Sequence, residues 1–207
     1  MTVPSQKDAW NELYHSRSRQ WKGIVTTKVP FPFGKGDRIL DIGCGNGKTS
    51  ASLIEMGCEV IGIDISEAAV EACKRTFGDR MTVKCASADN IPLDDGIVDG
   101  VAMVHILEHL TDEELEAALK EVYRVLKKDG RVFVRVCHGD DMRSEKGERI
   151  DQRTVVRGNG IMYRYFDEID LKKAFIGYRE ISMERIDEVT KFKETRSRME
   201  AVYGRTE

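Results

Sequence analysis

The chain has 207 residues, of which 41% are hydrophobic and 33% charged, the composition of an ordinary globular protein with one full core. A formal net charge of -3 supplies no broad basic surface, so the composition disfavours a protein that binds nucleic acid. No apolar run approaches the ~20 residues of a membrane span, and residues 1–10 lack the apolar centre of a signal peptide, so we expect one cytoplasmic domain. The cysteines form no C-x-x-C pair, and we expect them to be reduced thiols.

The first predicted element is a helix near the start of the chain. Trp10 and Tyr14 are four positions apart and would share one face of it, and Trp21 and Lys22 follow in a loop context. Two interpretations fit this segment equally well. It is either a lid over a ligand or a helix docked on a sheet.

A buried strand then runs directly into three glycines spaced two positions apart. The strand is Arg38–Ile42, the glycines are Gly43, Gly45 and Gly47, and a helix over residues 48–56 follows. Glycine tolerates positive φ and lets backbone approach a ligand, while the helix presents its unpaired N–H groups to the same place. The dinucleotide fingerprint would need a third glycine at position 48, and the phosphate loop would need one at position 42. The pattern indicates a nucleotide-like cofactor other than NAD.

Acidic residues occur at three successive strand ends. Asp41 comes just before the glycines, Asp64 ends a second buried strand over residues 60–65, and Asp89 follows a third strand over residues 81–86. Asp41 would repel a phosphate but could pair with a cationic group, and Asp64 has the spacing at which related folds hold ribose hydroxyls. Each acid alone is also typical of a turn or a helix cap. Their joint placement favours a binding site.

A fourth strand, over residues 97–104, leads into the sequence His105-Ile106-Leu107-Glu108-His109. This sequence matches H-x-x-E-H, the inverted zinc-peptidase signature, which requires a helix that presents both histidines to the metal. Because strand-like residues lead straight into the motif, we predict no metal site and expect His109 to stabilise the turn. His105 is predicted to line the cofactor site.

The rest of the chain continues the alternation of strands and helices, which indicates a parallel sheet covered on both faces. A capping box at Thr111 opens a helix to about residue 127, where Lys127, Lys128 and Gly130 are predicted to stop it. Further predictions are a helix over residues 66–77 with Ser66 as N-cap, a fifth strand at 131–136, a helix at 167–175 and closing strands at 180–189 and 196–203.

The glycine loop, the three acids and the motif at residues 105–109 together resemble the class I S-adenosylmethionine-dependent methyltransferases, in particular type 11-like domains. The resemblance implies an α/β, doubly wound Rossmann-like sheet of about seven strands, mostly parallel with an antiparallel final strand. It also implies S-adenosylmethionine as cofactor. The contacts it assigns are the backbone of Gly43, Gly45 and Gly47, Asp41 at the methionine amine, Asp64 and Ile65 at the ribose, Ala88, Asp89 and Asn90 at the adenine, and His105 beside them.

We expect a single domain over residues 1–207 with four parts. Residues 1–36 form the N-terminal helix and lid, 37–137 the cofactor-binding core, 138–165 a substrate loop, and 166–207 the closing helix and strands. The arginines of the substrate loop would suit an anionic substrate, although the interleaved acids also fit a solvated segment of mixed charge.

The predicted reaction is methyl transfer to a small-molecule acceptor, since the chain carries no appended RNA-binding unit. A base is needed only if the acceptor arrives protonated. The sequence does not choose among the candidate bases, which are His105, His138, Tyr14, Tyr163 and Tyr165. Two alternatives stay open: a sensor that binds S-adenosylmethionine without catalysis, and a zinc hydrolase.

Overall fold

Short buried strands alternate with amphipathic helices through the part of the chain that the computed structural model describes, which is residues 5–16, 25 and 27–206. The strands are β1 (Arg38–Ile42), β2 (Glu59–Asp64), β3 (Thr82–Cys85), β4 (Val98–Val104), β5 (Leu126–Cys137), β6 (Glu148–Arg149), β7 (Thr154–Val156), β8 (Met162–Arg164), β9 (Tyr178–Val189) and β10 (Thr195–Arg205). The helices are α1 (Gln6–Ser16), α2 (Lys48–Glu55), α3 (Glu67–Phe77), α4 (Asp112–Val125) and α5 (Glu168–Ala174).

Seven of these strands form one sheet in the order β3-β2-β1-β4-β5-β10-β9. The pairs among β1 to β5 are parallel, whereas β10 pairs antiparallel with both β5 and β9. The final strand is therefore the one that runs against the others, as predicted. The strand order reverses between β1 and β4, and ligands of open α/β sheets bind in the crevice outside the carboxyl ends of the strands at such a point.

The two faces of the sheet bury separate cores. Leu40 and Ile42 of β1 pack on the side covered by α4, while Ile39, which precedes Leu40, packs with residues of α2 and α3 on the opposite side. Side chains alternate across a strand, so a strand buried on both faces is apolar along its length. This explains why the central strands could be predicted from uninterrupted apolar runs.

The predicted N-caps are confirmed. The Ser66 hydroxyl accepts from the backbone N–H of Ala69 at 3.1 Å. Thr111 and Glu114 form a reciprocal capping box, in which the Glu114 side chain accepts from the Thr111 N–H at 2.8 Å. These contacts satisfy N–H groups that no helical carbonyl reaches.

The predicted end of α4 is wrong. The helix stops at Val125, and the supposed stop signals Lys127, Lys128 and Gly130 all lie within β5. The left-handed residue is Asp129, with φ of 65°, and not the glycine. Pairing of β5 with β4 is irregular here, because the register shifts opposite residues 98–100. Long-range strand pairing therefore ends the helix earlier than its local signals predict.

The segment predicted as a substrate loop contains a second sheet. Strands β6, β7 and β8 pair antiparallel in that order over residues 148–164. Strands of two or three residues are too short to show an alternating pattern, so they could not be predicted from the sequence.

Helix α1 lies against α3 and this small sheet. The Ser66 hydroxyl donates to Asn11 Oδ1 at 2.7 Å, and Gln6 Nε2 donates to the Gly160 carbonyl at 3.1 Å. Trp21 and Lys22 of the predicted lid lie outside the described residues. None of the described helices combines the length and apolarity needed to cross a bilayer.

Candidate functional site

The three glycines that follow β1 all adopt the left-handed conformation that the loop requires. Their φ angles are 70° at Gly43, 54° at Gly45 and 85° at Gly47. A Cβ at Gly45 would collide with the Tyr14 hydroxyl, whereas one at Gly47 would overlap the Phe77 ring, with Cζ at 2.8 Å. Gly45 thus faces the space beneath α1, and Gly47 faces the core. We therefore assign Gly47 to packing, while Gly43 and Gly45 stay predicted cofactor contacts.

Asp64 joins the glycine loop to the start of α3. Its carboxylate accepts from the backbone N–H of Gly45 through Oδ2 and from that of Ser66 through Oδ1, both at 2.9 Å. Burial raises the pKa of Asp64, and these N–H donors act in the opposite direction. A carboxylate oxygen has two lone pairs, so each still has capacity for a donor such as a ribose hydroxyl. This geometry fits the predicted ribose contact.

Asp41 is almost completely buried at the end of β1, with 1% of its surface exposed. Its Oδ2 accepts from the Ser50 hydroxyl at 2.6 Å. Burial raises the pKa of Asp41 to about 7, and the nearby charge of Asp64 adds to this rise. A cationic group beside the two acids would relieve both effects. The arrangement therefore fits the ammonium group of an amino-acid ligand.

The predicted adenine loop follows β3 at the same edge of the sheet. The Ala86 N–H donates to the Asp64 carbonyl at 3.0 Å, which places the start of this loop beside the end of β2. Ala88 is buried, whereas Asp89 and Asn90 are exposed, and Ile65 after β2 is half-buried. The structure thus brings every predicted cofactor residue to the carboxyl edge of β1 to β4, with both polar groups of the loop accessible to a ligand.

His105 and Glu108 form a pair directly after β4. His105 has φ of 59°, and its N–H donates to the Arg135 carbonyl at 2.9 Å. His105 Nδ1 lies 2.8 Å from Glu108 Oε1, which also accepts from the Cys137 N–H at 2.8 Å. Burial would raise the pKa of Glu108, but the charge and hydrogen bond of His105 prevail and hold it at about 2.

The sequence reasoning considered Glu108 only within the zinc-peptidase motif and did not predict its contact with His105. The available signal was its position three residues after His105, because a helical turn brings residues at that spacing onto the same side. Its side chain is 1% exposed, whereas that of His105 is 40% exposed. Only the histidine is accessible from solvent.

The zinc-peptidase hypothesis requires a geometry that is not formed. Residues Leu107–His109 form a single 3-10 turn, and His109 Nδ1 lies 2.7 Å from the Met162 carbonyl oxygen. The His109 ring packs edge-on against Trp10 and Tyr163, with centroid distances of 4.9 and 4.8 Å. Within the described residues, the possible metal ligands that lie together are His105, Glu108 and Cys137, a group without His109. The two histidines of the motif therefore serve separate contacts.

Two arginines of segment 138–165 lie close to the His105–Glu108 pair. Arg143 Nη2 donates to Cys137 Sγ at 3.2 Å while its Nε donates to Asp141 at 2.6 Å. The Arg157 guanidinium stacks over the Tyr163 ring at 3.8 Å. Other arginines of the segment pair with acids, as Arg149 does with Glu145 at 2.8 Å. The segment therefore combines both interpretations made from the sequence: some arginines lie near the site and some form surface ion pairs.

Comparison with known proteins identifies relatives of the cofactor-binding part. Residues 40–134 match a family described as methyltransferase domain. Demethylmenaquinone methyltransferase of Clavibacter sepedonicus is 34% identical over 134 residues, which are 64% of this chain and 54% of that protein. An O-methyltransferase of Penicillium expansum is 32% identical over 106 residues, which are 48% of this chain and 38% of that protein. The chain spans about half the length of the curated relatives it matches.

Solved structures share the fold. A S-adenosylmethionine-dependent methyltransferase of Methanosarcina mazei superimposes with a TM-score of 0.74 at 21% identity, over 85% of this chain and 98% of that chain. A 1,6-didemethyltoxoflavin-N1-methyltransferase of Burkholderia thailandensis, solved with its acceptor and S-adenosylhomocysteine, gives 0.66 at 17% identity, over 99% and 80% of the two chains. At such identities the likeness concerns the fold.

Proposed function

Because this chain belongs to the class I S-adenosylmethionine-dependent methyltransferases, we propose that it transfers the methyl group of that cofactor to a small-molecule acceptor. The observation that carries the proposal is the left-handed glycine loop with two buried acids beside it, at the carboxyl edge of β1 and β2. Relatives named for quinone methylation and for O-methylation support a small acceptor.

The chain's own residues fit the parts of the cofactor. Gly43 and Gly45 leave room for close approach, Asp64 would accept from the ribose, and Asp41 would pair with the methionine ammonium. When bound, the cofactor supplies a methyl group on a sulfonium centre, which is already a good leaving group. The protein's contribution is then chiefly to align the acceptor and to hold it away from water.

Helix α1 is the element that would exclude water. Its Tyr14 hydroxyl lies against Gly45, its Trp10 ring contacts His109, and its Gln6 side chain bonds to both sides of the turn before β8, accepting from the Met162 N–H at 3.0 Å. The helix therefore bridges the glycine loop and the small sheet. These contacts support the lid interpretation over a helix that only covers the sheet.

The same covering supports a small acceptor. An acceptor at His105 would lie between α1 and residues 138–165, since Met162 and Tyr163 of that segment contact the His109 turn. Enclosure on two sides suits a ring-sized molecule better than a folded macromolecule.

The test is isothermal titration with S-adenosylmethionine, S-adenosylhomocysteine and NAD, followed by assay of methyl transfer to catechol and to a reduced 2-prenyl-1,4-naphthoquinone. We expect micromolar binding of the two sulfur nucleosides, no binding of NAD, and transfer to one of the acceptors. Lack of binding by either sulfur nucleoside would overturn the proposal. Tight binding without transfer to either acceptor would favour the sensor function instead.

A further inference from the structure

Four of the five candidate bases of the sequence, which are Tyr163, Tyr165, His138 and His105, differ in their surroundings in ways that distinguish them. Burial raises the pKa of both Tyr163 and Tyr165, so these phenols keep their protons at neutral pH. His138 Nδ1 accepts from the Asp140 N–H at 3.1 Å. A neutral imidazole carries one proton, so that of His138 must be on Nε2. Neither the tyrosines nor the outer nitrogen of His138 is arranged to accept a proton.

His105 has the opposite arrangement. Its Nδ1 is 2.8 Å from Glu108 Oε1, and that carboxylate also receives the Cys137 N–H. An ionised carboxylate can only accept hydrogen bonds, so the neutral His105 ring must carry its proton on Nδ1. Its Nε2 is then left with a free lone pair. This is the tautomer in which a histidine accepts a proton from a substrate while a carboxylate stabilises the resulting charge.

The backbone holds this ring at the point where methyl transfer would occur. His105 directly follows β4, which pairs with β1 ahead of the glycine loop, and the side chain of Ile106 is 3.0 Å from a Cβ placed on Gly43. A left-handed conformation is unfavourable for a residue other than glycine, and such strain is concentrated at functional sites. The His105 N–H bond to the Arg135 carbonyl retains it.

We propose that His105 is the general base of methyl transfer and that Glu108 positions it, so that the acceptor's reacting atom carries a proton, as a phenol or hydroquinone hydroxyl does. This inference rests on the proposed function. The hydroxyl proton passes to His105 Nε2 while the oxygen uses an electron pair to bond the methyl carbon, and the carbon–sulfur bond breaks with its electron pair left on sulfur. The products are a methyl ether and S-adenosylhomocysteine, and the imidazolium then releases its proton to solvent.

The first test uses the protein alone. Nitrogen-15 NMR of histidine-labelled protein, on the alkaline side of the histidine titration, reports which ring nitrogen carries the proton, and the His105 signals are identified by their loss in His105→Gln. We expect a proton on Nδ1 in the wild type and a shift toward Nε2 in Glu108→Gln, whose amide can donate to the ring. A wild-type His105 that carries its proton on Nε2 would overturn the proposal.

The second test uses kinetics with whichever of catechol and the reduced 2-prenyl-1,4-naphthoquinone the wild type methylates. General bases contribute about 10²- to 10⁴-fold, so His105→Gln should lose at least 100-fold in kcat, with KM and cofactor affinity within a few-fold of wild type. Glu108→Gln should also lower kcat rather than raise KM. The exposed Glu113, on α4, supplies a matched control for the Glu108→Gln change, and Glu113→Gln should leave all three values unchanged.

The outcomes separate this inference from the proposed function. Undiminished kcat in His105→Gln, with cofactor binding intact, would remove the base and leave the methyltransferase. Failure of the wild type to bind S-adenosylmethionine would remove the function itself. Stoichiometric zinc in the purified protein that is lost in His105→Gln would also overturn the proposal, because a metal shared with Glu108 and Cys137 would occupy Nδ1.

Discussion

Replacing Asp41 by asparagine should change the pH dependence of stability in a direction opposite to that of most acids. The side chain is 1% exposed, and burial raises its pKa to about 7. In the unfolded chain its pKa is about 3.9. Between these values the folded state binds more protons than the unfolded state, so stability falls as pH rises from about 4 to 7 and is constant above.

The magnitude follows from the size of the shift. A difference of about 3 pH units at 1.36 kcal/mol each gives about 4 kcal/mol of stability lost across the whole range, of which about 3 kcal/mol falls between pH 5 and 8. Asparagine cannot ionise, so Asp41→Asn should be free of this loss. An amide N–H left without a partner lowers stability by about 1–3 kcal/mol at every pH, which shifts the whole curve without changing its shape.

Urea denaturation of wild type and Asp41→Asn at pH 5, 6, 7 and 8 measures the difference. The free energy of unfolding of the variant minus that of the wild type should increase by about 3 kcal/mol from pH 5 to pH 8. Asp99→Asn is a control that should give a curve parallel to that of the wild type, because a hydrogen bond from Lys127 lowers the pKa of Asp99 and this carboxyl is then ionised in both states from pH 5 to 8. Parallel curves for wild type and Asp41→Asn would refute the assignment of a protonated, buried Asp41.

The remaining predictions concern binding and stability. Gly45→Ala should weaken S-adenosylmethionine binding in calorimetry at least tenfold, with a loss of about 1 kcal/mol in the free energy of unfolding. Gly47→Ala, whose Cβ would overlap a core ring, should lose about 2–4 kcal/mol of the free energy of unfolding. Equal effects of the two variants would contradict this division. Glu200→Gln should lower the free energy of unfolding by about 3–5 kcal/mol, because Arg135, bonded to it at 2.6 Å, would stay buried without a carboxylate. Thr111→Ala should lose about 1 kcal/mol in urea titrations with unchanged cofactor affinity.

The sequence was most informative where structure is set by local signals. The strand that leads into Gly43, the cap at Ser66 and the capping box at Thr111 each occur where they were predicted, within one or two residues. The seven-stranded sheet and its antiparallel last strand were predicted through the family resemblance. In the strand and the two caps, unlike the sheet as a whole, the pattern and the structure depend on the same few neighbouring residues.

Prediction failed where distant parts of the chain decide the outcome. The end of α4 at Val125 follows from pairing of β5 with β4, so the lysines after it joined a strand. The His105–Glu108 pair was visible as a spacing, but its geometry depends on the φ of 59° at His105 and on the Cys137 N–H, which is 29 residues further along the chain. No local pattern carries that information.

The proposed acceptor side of the site depends most strongly on contacts between distant parts of the chain. Gln6 bonds to the Gly160 carbonyl across 154 residues, and His109 bonds to Met162 across 53. The family match over residues 40–134 covers most of the cofactor strands and stops before residues 138–165. In the function proposed above, cofactor binding would depend mainly on the matched residues and acceptor binding on residues 138–165. Exchange of residues 138–165 for those of a relative should therefore change the acceptor and leave S-adenosylmethionine affinity within a few-fold, whereas loss of both together would contradict this separation.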